Sequence, residues 1–338
     1  TTAKVLDDAV TTAKVLDDAV TAAKLADSAY LANRNMVING AMQVAQRSTS
    51  VQKQYDSSNG YFTCDRVRTS QGALDNAVWT MTQDAHLLTG PTGFPNSWKV
   101  TVDTAETALA ADEQFTFQYN IEAKNCQNLA YGTSGAKTTT TSFWVKSDVT
   151  GVYSLTLYSY DANRSIGGTY TISVADTWEY KTVTLVGDTA GTGINNDTGV
   201  GVTLYFALTA GTDRTSGDNT SWSGWTTARA AYGQTANVLA SATDYWQITG
   251  LQFEIGSVAT EFDFYGLWAE MRASPSASLN TTTPTAQMNN YGVITGSSSS
   301  VTQNLADKQG TFGTRINGFS LTAHRQSTFG TTCIEMDA

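Results

Sequence analysis

The chain has 338 residues, 41% of them hydrophobic and 10% aromatic, which is enough apolar material for two or three compact units and too much for wholesale disorder. Its 20 basic and 30 acidic residues leave a formal charge of −10. That balance excludes a phosphate groove of clustered Lys and Arg, and adhesion to an anionic bilayer by charge alone.

No apolar run reaches the roughly 18 residues that a membrane span needs. Residues 1–20 lack the basic and apolar regions of a signal peptide. The chain opens inside a repeat and without Met, which implies further sequence upstream. Four prolines against 28 glycines, with abundant Thr and Ser, favour strands and turns over helices.

Residues 1–10 recur unchanged as 11–20 and loosely as 21–30, with apolar positions Val5, Leu6, Val10, Val15, Leu16, Val20 and Leu25. Ten residues turn an α-helix through roughly 1000°, about 80° short of three turns, so an apolar stripe rotates away within three repeats. Ten is not a multiple of 3.5 either, which excludes a continuous heptad coiled coil. Either short helical turns alternate with extended links, or the segment is extended throughout. One such repeat cannot bury its apolar face alone. The expectation is an oligomeric shaft over residues 1–34, with those seven residues at the self-association seam; a flexible linker is the plain alternative.

From about Asn35 the pattern changes to period two. Phe115, Phe117, Tyr119 and Ile121 alternate with Thr116, Gln118, Asn120 and Glu122, which places four apolar side chains on one face of a strand. Val200, Val202, Leu204, Phe206 and Leu208 behave alike. So do Trp98, Val100 and Val102; Tyr153, Leu155 and Leu157; and Leu251, Phe253 and Ile255. Turn signals stand between these runs: Gly90-Pro91, residues 148–151, Gly167-Gly168, residues 191–193 and residues 211–217. Many short strands joined by such turns predict an all-β, antiparallel two-sheet sandwich over residues 35–268. A Ser/Thr/Pro-rich connector follows at 274–285, then sparser β-like stretches around Tyr291, Phe312, Phe319 and 329–336. Residues 269–338 therefore read as a small β-rich tip, too polar for a strong core alone.

Four stretches carry a family resemblance. Asn35-Met36-Val37-Ile38-Asn39-Gly40 with Gln46-Arg47 resembles the "N-x-x-I-N-G…Q-R" opening of the C-terminal regions of bacteriophage and prophage tail-fibre proteins. Tyr61-Phe62-Thr63-Cys64-Asp65-Arg66 resembles the "Y-x-x-D-R-W" that follows it, with Val67 in place of Trp. Ser142-Phe143-Trp144-Val145-Lys146-Ser147 resembles their "S-F-W-V-K-S" strand, and residues 248–262 resemble their closing "I-T-G-V-Q-L-E" strand. The decads look like fibre-shaft repeats. The resemblance implies a jelly-roll sandwich similar to carbohydrate-binding modules, assembly as a homotrimer with other phage tail and baseplate proteins, and a place in the virion tail fibre. It also implies adhesion to host surface polysaccharide, while the charge balance and the lack of a long apolar run argue against nucleic acid and membrane insertion as partners.

For chemistry the residues offer little. Cys64, Cys126 and Cys333 are odd in number and scattered, which points to reduced thiols rather than a disulfide framework. His86 and His324 lie near no nucleophile elbow, His pair or Cys-x-x-Cys. Glu254, Glu261 and Asp263 are the candidate carboxylates for a glycosidase, but alternation sets Glu254 opposite Leu251 and Phe253, on the solvent face or at a strand-edge contact, and the plain reading of all three is solvated or hydrogen-bonded structural acids. A non-catalytic protein is expected, with a polysaccharide depolymerase and a purely structural fibre segment as rivals. Calcium takes six to eight oxygens, and Asn195-Asn196-Asp197 and residues 213–218 supply suitable ones; both are equally good ordinary turns.

Saccharides dock their apolar C–H faces on flat aromatic side chains, with amides and carboxylates around the hydroxyls. Trp222, Trp225 and Tyr232 fall in one segment, 215–233, rich in Ser, Asn, Asp and Gly. Tyr158, Tyr160 and Arg164, with Asp161 and Asn163, form a second group at a strand end. Either these aromatics face a ligand, or they pack against the sandwich or a neighbouring subunit.

Overall fold

The computed structural model describes residues 34–86 and 89–263 in full, together with the backbone of two strands near the C-terminus. The decad repeats with their seven apolar positions, and the 274–285 connector, lie outside the described residues. Two compact units are distinguished, Thr1–Glu270 and Met271–Ala338.

The first unit is an antiparallel two-sheet jelly roll, its strands numbered here in chain order. One sheet has six strands in the order β1 (Ser50–Gln54), β4 (Val78–Ala85), β5 (Asn96–Thr104), β13 (Tyr245–Ile255), β7 (Thr139–Ser147) and β10 (Glu179–Leu185). The other has seven: β12 (Ser223–Gly224), β9 (Arg164–Ile172), β8 (Gly151–Ser159), β11 (Val200–Ala210), β6 (Gln114–Glu122), β3 (Val67–Gly72) and β2 (Gly60–Tyr61). In the second unit β14 (Ser320–Arg325) pairs antiparallel with β15 (Thr332–Asp337).

Alternation does what period two requires. Phe115, Phe117, Tyr119 and Ile121 of β6, and Val202, Leu204, Phe206 and Leu208 of β11, all point inward and are buried. Aromatic rings from the two sheets interlock edge-to-face: Trp98 meets Phe117 at 5.1 Å and Phe143 meets Phe206 at 5.1 Å between centroids. Cys64 and Cys126 are free, buried thiols, pushed up to about 12 chiefly by burial, and are therefore inert at neutral pH.

The Gly167-Gly168 turn expected from sequence is not a turn. Both glycines lie inside β9, because neighbours approach too closely for any side chain. A Cβ on Gly168 would stand 2.6 Å from Val183, and one on Gly167 2.6 Å from the Asn219 amide.

The opening segment and the closing strand clasp each other. Asn35 Oδ1 accepts from the amides of Val37 (2.9 Å) and Phe253 (3.2 Å), and its Nδ2 donates to the Leu251 carbonyl (3.4 Å). Asn39 likewise bridges both backbone groups of Val44 and the Asp65 carbonyl. The Leu251 amide donates to the Gly40 carbonyl at 3.0 Å, and a Cβ on Gly40 would lie 2.0 Å from the Leu251 oxygen. A bulge between Thr249 and Gln252, with Gly250 at φ +61°, resets the phase so that Leu251 and Phe253 still face inward.

Of the two structural roles open to it, Glu254 takes the hydrogen-bonded one. It does lie opposite Leu251 and Phe253, yet it is fully buried, because residues 260–263 fold over it. Its Oε1 accepts from Gln252 Nε2 and from the Thr260 amide, both at 2.8 Å, and its Oε2 accepts from the Thr260 hydroxyl at 2.6 Å. This carboxylate fastens the end of the sandwich. Among the described residues no helix is long and apolar enough to cross a membrane.

Candidate saccharide-binding face

The outer face of the seven-stranded sheet is built from the other half of the same alternation. Register places Tyr61, Arg68, Gln118, Tyr205 and Thr156 side by side across β2, β3, β6, β11 and β8. A second row runs Asn120, Thr203, Tyr158 and Ser165 across β6, β11, β8 and β9. Polar side chains in these rows hold one another. The Asn120 amide donates to the Tyr61 hydroxyl at 3.0 Å, Thr203 donates to Asn120 Oδ1 at 2.8 Å, and the Arg68 guanidinium donates to Gln118.

The 217–236 segment roofs the outer side of β8 and β9 and delivers one more aromatic. Asn219, fully buried, donates to the Thr156 hydroxyl at 3.0 Å and accepts from Ser165 at 3.0 Å, while Thr156 donates to the Ala230 carbonyl at 3.1 Å. Arg229 ties the segment down through the carbonyls of Ser165 (2.9 Å) and Ser221 (2.7 Å). The Trp225 amide donates to the Asn163 carbonyl at 2.9 Å, which sets its ring 4.7 Å from Tyr158 and 5.8 Å from Tyr205. Tyr160 meets Tyr158 edge-on at 5.4 Å.

The result is a half-exposed aromatic cluster, Trp225, Tyr158, Tyr205 and Tyr160, with Tyr61 further along the face; Tyr160 is 57% and Tyr61 36% exposed. The Tyr158 hydroxyl donates to Asn163 Oδ1 at 3.0 Å. Burial raises the Tyr158 and Tyr205 hydroxyls above the usual phenol range, so both remain neutral donors at physiological pH. Flat rings beside amides and hydroxyls fit the two faces of a pyranose, one apolar and one polar.

The six residues singled out in the sequence divide. Tyr158, Tyr160 and Trp225 come together on this face. Trp222 instead packs against the core, its Nε1 donating to the Val186 carbonyl at 2.6 Å and its ring 5.3 Å from Tyr131. Arg164 pairs with buried Asp188 at 2.7 Å and donates to the Trp222 carbonyl at 3.1 Å, a lock on the sheet edge. Tyr232 is half-buried in the roofing segment and makes no ring contact with the cluster. Tyr205, Tyr61, Asn120 and Arg68 were missed. Tyr205 left a trace, since it is an aromatic on the polar phase of β11, where an outer face has no need of one.

In the two loops expected to offer calcium oxygens, several of these oxygens take part in turns. Asp197 accepts from the Gly199 amide at 2.8 Å and Asp218 from the Thr220 amide at 2.9 Å, while Asn195 donates to Asp161. A metal-like oxygen set lies elsewhere: ligand atoms of Asp75, Glu106 and Glu113 fall within 4.8 Å of one another. Glu106 and Glu113 are buried. Glu106 Oε2 accepts from the amides of Asn76 (3.0 Å) and Ala77 (3.1 Å), and Glu113 Oε2 from that of Ala110 (2.6 Å). Burial, then the neighbouring Glu106, Asp75 and Asp112, hold the Glu113 carboxyl above the usual range. Hard oxygens of this kind suit calcium.

No family model matches the chain, and no curated protein matches it. Similar solved structures include the enzymatically active domain of bacteriophage CBA120 tailspike protein 4, at 13% identity over 66% of this chain and 21% of that one, TM-score 0.35. The family 11 carbohydrate-binding module from Clostridium thermocellum in complex with a β-1,3-1,4-mixed-linked tetrasaccharide is 9% identical over 63% and 98%, TM-score 0.29. The tripod from the baseplate of bacteriophage Tuc2009 is 12% identical over 68% and 58%, TM-score 0.27. The chain thus spans about a fifth (21%) of the tailspike's length.

Proposed function

We propose that this chain is a non-catalytic, adhesive part of a phage tail fibre, which holds a host surface glycan on the outer face of its seven-stranded sheet. The observation that carries the reading is the aromatic cluster of Trp225, Tyr158, Tyr205 and Tyr160, left half-exposed beside fixed amides and hydroxyls. The stretches that resemble tail-fibre sequences support the phage setting, and within the sandwich they account for its clasp rather than its ligand. Assembly as a homotrimer through the decad repeats, alongside other tail and baseplate proteins, would present three weak sites at once. Avidity then rises through effective concentration without any covalent step, which suits reversible scanning of a surface.

The test is retention of the intact chain by host surface polysaccharide in affinity electrophoresis, with Trp225→Ala and Tyr158→Ala as the decisive variants. Retention that both variants abolish is the expected result; unchanged retention would sink the proposal. A depolymerase would instead release reducing ends from the same polysaccharide, and a purely structural segment would show no retention at all. The native molar mass in solution tests the trimer independently.

A further inference from the structure

The outer face of the six-stranded sheet carries a second cluster of different chemistry. Lys99 of β5 and Lys146 of β7 both stand opposite Gln247 of β13, one on each side. Their ammonium groups converge on one ring: Lys99 Nζ is 4.6 Å and Lys146 Nζ 5.8 Å from the Tyr245 centroid. Tyr245 is held in place by its hydroxyl, which donates to Asp176 at 2.5 Å. In the neighbouring row Trp144 and Tyr180 stand opposite each other, rings 5.3 Å apart, and Tyr180 is 45% exposed on the edge strand. Trp178, just before β10, meets His86 at 5.3 Å.

Two ammonium groups brought to one ring in a chain of net charge −10 need a reason. Among the described residues neither forms an ion pair, although Asp84, Asp148 and Asp176 are all close enough to act on the Tyr245 hydroxyl. Other Lys or Arg residues in the sandwich do take a carboxylate partner, among them Arg47, Arg66, Lys124, Arg164 and Lys181. Paired cations over a ring, next to a partly exposed Tyr–Trp pair, are complementary to a sugar bearing a negative group. The acid would lie between the lysines and the pyranose would rest on the aromatics.

We propose that the outer face of the six-stranded sheet is a second saccharide site, selective for an anionic sugar whose carboxylate or phosphate is taken by Lys99 and Lys146 and whose ring stacks on Tyr180 and Trp144. It shares no residue with the face described above, so the two sites fail independently.

The experiment uses the full chain in affinity electrophoresis against four polymers: polygalacturonate, its carboxyl-reduced neutral counterpart, a phosphomannan and dextran sulfate. The expected result is retention by polygalacturonate or by the phosphate polymer, which of the two identifying the acid, and none by the neutral counterpart through this face. A Lys99→Gln, Lys146→Gln double variant loses at least about tenfold in that affinity, and Tyr180→Ala loses several-fold, while Trp225→Ala leaves it unchanged. Retention by neither anionic saccharide overturns the proposal. So does retention indifferent to the lysines, or equal retention by dextran sulfate that ignores Tyr180→Ala, since that is charge attraction without a sugar site.

Discussion

The clasp between the opening segment and β13, and the aromatic face of the seven-stranded sheet, are made from different residues and behave oppositely. In the clasp, Asn35, Asn39 and Glu254 are buried, with their polar atoms committed to named backbone or side-chain partners. On the face, Tyr160 is exposed and Tyr158 and Trp225 are partly exposed, and their polar atoms position rather than enclose them. The difference separates stability from recognition. An Asn whose every bond is made inside the fold has nothing left for a ligand, whereas a ring fixed by its neighbours and left half bare has.

The comparison breaks first, and hardest, at Gly40. A methyl group there collides with a backbone oxygen that cannot move without opening the closing strand, so Gly40→Ala is expected to cost about 3 kcal/mol or more in urea unfolding, or to prevent folding. Replacing Glu254 with Gln keeps the shape but removes a charged acceptor from the amide and hydroxyl of Thr260. The expected loss is about 2 kcal/mol in the same measurement.

The aromatic face should respond the other way round. Trp225→Ala with Tyr158→Ala lowers glycan affinity by at least about tenfold while changing unfolding free energy by only about 1 kcal/mol. If the stability effect were the larger, the cluster would belong with the clasp. Asn163→Ala, which removes the acceptor for the Tyr158 hydroxyl without touching a ring, should cost about threefold in affinity and about 1 kcal/mol of stability, since Asn163 stands at φ +48°.

Between these extremes stands the Asp75, Glu106 and Glu113 cluster, in which two buried carboxylates and an exposed one repel. Since the folded Glu113 carboxyl is raised, its contribution to stability is present at pH below the ordinary carboxylate range and is lost as pH climbs through the raised value. Glu113→Gln should therefore raise the thermal midpoint at neutral pH and flatten the gain seen on acidification. Millimolar calcium should act in the same direction on the native chain and lose its effect in the variant.

Much of this was legible in the chain itself. Period-two alternation marked β5, β6, β8 and β11 and put the right residues inward, because a pleated strand with one buried face leaves that pattern whatever its neighbours. The turn reading of Gly167-Gly168 failed because a glycine needed for close approach and one needed for a turn look the same in sequence. Glu254 was placed on the correct side of its strand, but the segment that covers it returns from residues 260–263, and strand periodicity says nothing about what folds over a face.

Sequence alone therefore settled the class of fold, the inward phase of its main strands and the reduced state of Cys64 and Cys126, all of which depend on local pattern or on a residue's own burial tendency. Only tertiary structure decided which aromatics share a surface. Trp222 and Trp225 stand three residues apart in the same polar segment, yet one is turned against Tyr131 and the core and the other set between Tyr158 and Tyr205. That choice is made by the partners each backbone and ring finds on strands far away in the chain. Pairings over such distances leave no periodic mark on the residues that take part.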